Sequence, residues 1–289
     1  MFEIDRKLAP EHLDSEHTDI DPQFLPFPMK DVQRKTDSRG IHIDQVGVSG
    51  LRYPITVLDR ENKAQHTVGR FSFSVDLPHN FKGTHMSRFV EVLNKHHGEI
   101  TLRTMPEILV ELQAKLESER THIVVEFPYF ITKAAPVSGS KALVDLNCAF
   151  IAESNGKEQD FLLRVEVPVT SLCPCSKEIS DYGAHNQRGF VTITVRTKKD
   201  RDGWQFVWIE ELVEIAEKSA SAPIYALLKR TDERHVTMQA YDNPVFVEDI
   251  VRNAAGFLKE DKRIAWFEVR AVNQESIHNH EAFAVVRSH

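Results

Sequence analysis

Beyond about residue 40, apolar and polar positions alternate with a period of two over long stretches. Phe71, Phe73 and Val75 interleave with Ser72, Ser74 and Asp76, the pattern of a strand with one buried face. On this basis strands are expected at residues 45–57, 66–77, 121–134, 141–153, 159–171, 188–198, 262–272 and 280–287. Ser138-Gly139-Ser140 supplies the turn between the third and the fourth.

The period lengthens to that of a helix in four places. Met86, Phe89, Val90 and Leu93 share one face of a helix over 85–97. Thr104-Met105-Pro106-Glu107 reads as a capping box with proline in the first turn, followed by the stripe Ile108, Leu109, Leu112 and Leu116. Ile209, Leu212, Val213 and Ala216 mark a helix over 208–219. Asn243-Pro244 reads as an N-cap with proline behind it, opening a helix with the stripe Phe246, Val247, Ile250, Val251, Ala254 and Leu258. The order strand-strand-helix-helix-strand-strand thus occurs twice, which predicts an α+β fold of paired antiparallel strands with helices on one face. The expected units are 41–157 and 158–289, preceded by an extended or partly disordered arm over 1–40 that is polar and carries four prolines. Residues 220–243 read as a long connection that packs through Ile224, Leu227 and Leu228 and holds Asp232 and Glu233.

Composition narrows the function. A net charge of -7 over 289 residues argues against nucleic acid or anionic membrane as partner. Three cysteines, an odd count, argue for a reducing compartment. The first residues, Met1-Phe2-Glu3-Ile4-Asp5-Arg6, lack the apolar core of a secretory signal, and no apolar run is long enough to span a bilayer. A cytoplasmic protein is expected.

The chemistry concentrates in Ser171-Leu172-Cys173-Pro174-Cys175-Ser176-Lys177, with His185 in the polar segment that follows. Proline after Cys173 imposes extended backbone there; in extended chain residues two apart project to one side, but Pro174 and the end of the strand disturb that relation, so ligation by both sulfurs stays open. The two thiols read as metal ligands or as a nucleophile; the plain alternative is two small buried side chains. Cys148, within an apolar strand, reads as core. His278-Asn279-His280 offers two imidazoles two positions apart, for metal binding, proton transfer or simply a polar turn. Glu233 and Glu248 say little individually. In Gly83-Thr84-His85-Met86-Ser87-Arg88, Thr84 is placed to cap a helix whose N-terminus, with Arg88, can also meet phosphate.

These segments, together with Val48-Ser49-Gly50-Leu51-Arg52-Tyr53-Pro54-Ile55, Ala184-His185-Asn186-Gln187-Arg188-Gly189, Tyr225-Ala226-Leu227-Leu228-Lys229-Arg230, Asn243-Pro244-Val245-Phe246-Val247-Glu248-Asp249 and Glu275-Ser276-Ile277-His278-Asn279-His280, resemble in order those of the type IB GTP cyclohydrolases. The resemblance implies two tandem tunnelling-fold (T-fold) modules, a homotetramer, and GTP cyclohydrolase I activity. In that activity metal-activated water converts GTP to 7,8-dihydroneopterin triphosphate and formate, at the entry to folate and related pathways. It implies one divalent ion per site (zinc, manganese or iron) held by Cys173, His185 and Glu233, with Cys175 as the alternative sulfur. Cys175, His278 and His280 fall at the positions for proton transfer, and Glu248 at that for guanine recognition. Arg52, His85, Arg88, Lys177 and Arg188 are the candidates for the triphosphate. Two relatives in chemistry remain beside this reading: a cyclohydrolase yielding a 2′,3′-cyclic phosphate, and the T-fold nitrile reductase, whose lysine- and tyrosine-rich signature has no counterpart here.

Overall fold

Phe71, Phe73 and Val75 are buried and their polar partners in the alternation are more open, apart from Asp76. Most of the strands follow the same rule. A computed structural model describes residues 31–96, 98–99, 104–156, 158–201 and 203–288. The first thirty residues of the expected arm lie outside these. Residues 31–37 are not loose: they run beside 80–83 through the backbone bonds Asp37 N to Asn80 O, Lys82 N to Lys35 O and Gly83 N to Gln33 O.

The chain runs β1 (Ile43–Asp59), β2 (Lys63–Leu77), α1 (Met86–Lys95), β3 (Gly98–Glu99), α2 (Met105–Leu116), β4 (Thr121–Ala134) and β5 (Lys141–Ser154). It continues through β6 (Gln159–Leu172), α3 (Pro174–Ile179), β7 (Asn186–Thr197), β8 (Lys199–Asp200), β9 (Gly203–Trp204), α4 (Ile209–Ser219) and β10 (Ala222–Pro223). The last elements are α5 (Arg230–Asp242), α6 (Val247–Glu260), β11 (Ile264–Asn273) and β12 (Ala282–Arg287). One sheet takes the order β12-β11-β7-β6-β5-β4-β2-β1-β3, with β10 paired to β6 and a separate β8–β9 pair. All these pairings are antiparallel except β1 with β3. Within each half the four long strands stand in the same order, so the halves join edge to edge through β5 and β6. The expected α+β class with a mostly antiparallel sheet is what the chain forms.

The helices bury their stripes on one face of this sheet. Leu93, Leu109, Leu112, Leu212, Ile250 and Leu258 are at most 1% exposed, each worth about 1.5–3 kcal/mol relative to exposure. The opposite face bears charged rows that include Arg52, Arg70, Glu126, Arg164, Glu166, Glu268 and Arg270. Among the described residues no helix is long and apolar enough to cross a membrane.

Three expectations need correction. Residues 220–243 are not a loop, since most of the stretch is α5. This helix buries only Asp232 and Ala240, so it has no apolar stripe for periodicity to detect. Asn243 closes α5 and donates through its side chain to Ala220 O and Ser221 O, while α6 begins four residues later with Phe246 as N-cap. Met86 opens α1 with His85, not Thr84, as N-cap; Thr104 does stand at the N-cap of α2, without a side-chain cap bond.

Arg263 ties the second half together. It donates to Asp261, Glu211 and Phe206 O, and its guanidinium holds the Asp261 carboxyl below the usual carboxylate range. A carboxyl depressed in the folded state stabilises above its unfolded pKa of about 3.9, and that contribution is lost as pH falls through the folded value. Arg263→Met should therefore flatten the acid limb of a stability-versus-pH curve from urea melts; an unchanged limb would remove this assignment.

Candidate active site

The C-terminal end of β6 leads into the site. Cys173 is extended (φ -72°, ψ 118°), and Pro174 then opens α3, where its lack of an N–H costs nothing and its fixed φ suits a helix. Cys173 is thereby an N-cap, with its Sγ accepting from Ser176 N at 3.4 Å. The extended run ends there, so the same-side relation of Cys173 and Cys175 is broken by Pro174 and the strand end, as anticipated; Cys175 is exposed in the first turn of α3. Cys148 is core as expected, with burial pushing its thiol pKa up.

His185 is drawn to Cys173 from the start of β7. Cys173 N donates to His185 O at 3.2 Å, and His185 N donates to Ser176 Oγ at 3.1 Å. A closed set of three bonds therefore holds thiol and imidazole segments together. The ring's Nδ1 lies 2.8 Å from Gln187 Oε1, 3.5 Å from Ser276 Oγ and 4.0 Å from Glu275 Oε2. In the tautomer that carries its proton on Nδ1, the ring donates to the Gln187 amide oxygen and leaves the Nε2 lone pair for a ligand. Gln187 and Glu275 were not singled out in sequence. Glu275 had only its place in the 275–280 segment as a signal, and Gln187 its alternation with His185.

His278 and His280 follow in the turn before β12, exposed, their rings stacked with centroids 5.1 Å apart and 17° between planes. Glu233 is exposed in the first turn of α5, its N–H bonded to Lys229 O. The preceding residue is fully buried. Asp232 accepts from Lys229 N, Val137 N, Ser138 N and Ser138 Oγ. Burial opposes its charge, but these bonds prevail and hold its pKa below the usual range. Nearby, Lys133 of β4 pairs with Glu217, donates to Ile224 O and lies over the Tyr225 ring. The β4–β5 turn of the first half is thus stapled to the segment that leads into α5. Among the described residues no three His, Cys, Asp or Glu side chains stand close enough to hold a metal ion: Cys173 and His185 are joined through backbone and Ser176 bonds, and Glu233 is not gathered with them.

Glu248 is exposed in the first turn of α6, where Asp249 caps Phe246 N. The cationic candidates divide into two sets. Lys177 donates to Tyr241 O at 2.5 Å and lies over its ring, and Arg88 donates to Lys115 O at 2.8 Å; both satisfy carbonyls near helix ends. His85 Nε2 lies 3.2 Å from Asp31. Arg52 and Arg188 are exposed, and Arg52 stands directly opposite Arg70 on β2, a second cation that sequence reading passed over.

A model of the type I GTP cyclohydrolase folE2 family matches residues 29–284. The chain belongs to that family. GTP cyclohydrolase FolE2 of Syntrophotalea carbinolica is 54% identical over 258 residues, covering 89% of this chain and 94% of its own length. The FolE2 of Nitrosococcus oceani is 52% identical over 259 residues, covering 90% and 95%. Among solved structures, a highly active mutant of Bacillus sp. TB-90 urate oxidase superposes with a TM-score of 0.50 at 11% identity, over 85% of this chain and 99% of its own. That likeness concerns the fold alone. The FolE2 match spans every candidate residue named above.

Proposed function

We propose that this chain is a GTP cyclohydrolase I, converting GTP and water to 7,8-dihydroneopterin triphosphate and formate. The observation that carries the reading is the Cys173–His185 pair, locked by Ser176 at the joined ends of β6 and β7, within a chain that matches the FolE2 family almost end to end.

The donor set mixes soft and hard ligands and so suits a divalent ion: zinc or iron through the sulfur and imidazole, manganese through the carboxylate. It offers one sulfur and an imidazole nitrogen whose partner nitrogen is already fixed. Glu233 completes the set in this proposal, its exposed side chain coming to the pair. When bound, the ion supplies Lewis acidity that makes hydroxide available near pH 7. The chain's own groups do the rest. Glu248 accepts from guanine N1–H and its exocyclic amine, a bidentate charge-assisted contact. His278, His280 and Cys175 carry protons for the hydration and ring-opening steps. Arg52 and Arg188, exposed and uncommitted to helix ends, meet the triphosphate first, with His85, Arg88 and Lys177 as the remaining candidates. The repeated strand order supports reading the two halves as tandem T-fold modules of the type IB group. The enzyme in this proposal is a cytoplasmic homotetramer serving folate synthesis.

Metal-free and metal-loaded protein incubated with GTP should differ in formate release and pterin fluorescence; absence of formate with zinc, manganese and iron alike would end the proposal. Glu248→Gln should lower kcat/KM for GTP about 100-fold, because the amide places a donor against the guanine amine. It should also narrow the preference for GTP over inosine triphosphate. Equal losses on both nucleotides would remove Glu248 from base recognition.

A further inference from the structure

Beneath the candidate site lies a buried polar node that the proposed chemistry does not use. Asn273, the last residue of β11, is 3% exposed, and its Nδ2 donates to Ser171 Oγ on β6 at 3.0 Å. Between these strands stands β7, and the residue opposite Asn273 on β7 is Gly189. A Cβ on Gly189 would lie 2.7 Å from Asn273 Oδ1 and 3.3 Å from the Val169 side chain. The amide therefore crosses β7 only because Gly189 has no side chain. Ser171 is fully buried and passes the connection on, donating to Val245 O at 3.3 Å. The next residue, Leu172, accepts from Val245 N and donates to Ser221 Oγ.

Each member of the node abuts a segment with a proposed role. Cys173 lies two residues after Ser171, Glu248 three after Val245, and Glu275 two after Asn273. Glu275 accepts from Gln187, which holds the His185 ring. We propose that Asn273 and Ser171 are positioning residues that hold the thiol, the imidazole support and the guanine-reading segment in one register. Asn273 Oδ1 is buried with no hydrogen-bond partner among the described residues, so the amide's one bond in the node is the donation to Ser171. The proposal rests on the assignment of Cys173 and His185 to a metal.

The test uses the full-length protein and Co²⁺ as probe. Asn273→Ala and Ser171→Ala should each weaken Co²⁺ binding and lower kcat/KM for GTP by about 10–100-fold. The double variant should be no worse than the weaker single one, because both break the same link. Val269→Ala, which trims the same strand without touching the node, should lower Tm and leave Co²⁺ affinity unchanged. If Asn273→Ala does not fold, the milder Ser171→Ala decides. Wild-type Co²⁺ affinity and kcat/KM in folded Ser171→Ala would overturn the positioning role while the cyclohydrolase reading stands. A wild-type protein that releases no formate, but whose Co²⁺ affinity still falls in both variants, would overturn the cyclohydrolase reading and leave the positioning role in place.

Discussion

Cys173→Ser should abolish GTP turnover, by about 10³-fold or more, while leaving the fold in place. The size follows from the several kcal/mol that a Lewis-acidic ion contributes to such a transition state. The preservation of fold follows from the residue's second task. Cys173 caps α3 by accepting from Ser176 N, and serine is among the best N-cap residues. The substitution therefore removes the soft ligand and retains the cap. His185→Ala should lose as much activity and some stability besides, because the ring's contacts with Gln187 and Glu275 go with it. Cys175→Ser should lose activity without losing metal, as suits a group that moves protons. Formate release and metal content measured on the same preparations separate the three cases; a Cys173→Ser protein with near-normal turnover would contradict the ligand assignment.

Asp232→Ala should be the most damaging substitution outside the site. Its carboxylate is fully buried and accepts from two backbone N–H groups of the β4–β5 turn, the Ser138 hydroxyl and Lys229 N. Alanine removes the shared acceptor of all these donors and leaves a gap where the buried carboxylate stood, which should lower Tm by about 5–10 °C. The loss should reach the site as well, since Glu233 is the next residue and rides on the helix that Asp232 anchors. Asp232→Asn, which keeps one carbonyl acceptor, should fall between. Thermal melts read the first effect and Co²⁺ affinity the second; a stable Asp232→Ala protein would mean that the staple between the halves carries little.

How far the sequence speaks depends on the kind of signal each element carries. The eight long strands were legible because one face of each meets helices, so burial imprints a period of two, as at Phe71, Phe73 and Val75. Helices α1, α2, α4 and α6 were legible through their apolar stripes. Helix α5 was not, because what it buries is chiefly one carboxylate and Ala240. Its anchor is hydrogen bonding to a turn some ninety residues earlier, which no local pattern reports. Helix α3 was hidden by its length and by Pro174, which reads as a breaker although the first helical position tolerates it. At the site, Cys173 and His185 were legible as a pair through their spacing and the family resemblance. Gln187, Glu275 and Asn273 were not, because ordinary polar residues gain meaning only from what lies beside them across the sheet.

The central claim is that Cys173, with His185 and Glu233, holds a catalytic divalent ion. Titration of the metal-free protein with Co²⁺, followed by thiolate-to-metal charge-transfer absorption, tests it most directly. Cys148 cannot supply this signal, being buried with its thiol pKa raised. The account predicts one Co²⁺ per chain, a band retained in Cys175→Ser, lost in Cys173→Ser, and binding weakened in Glu233→Gln. A band that survives in Cys173→Ser and vanishes in Cys175→Ser would contradict it.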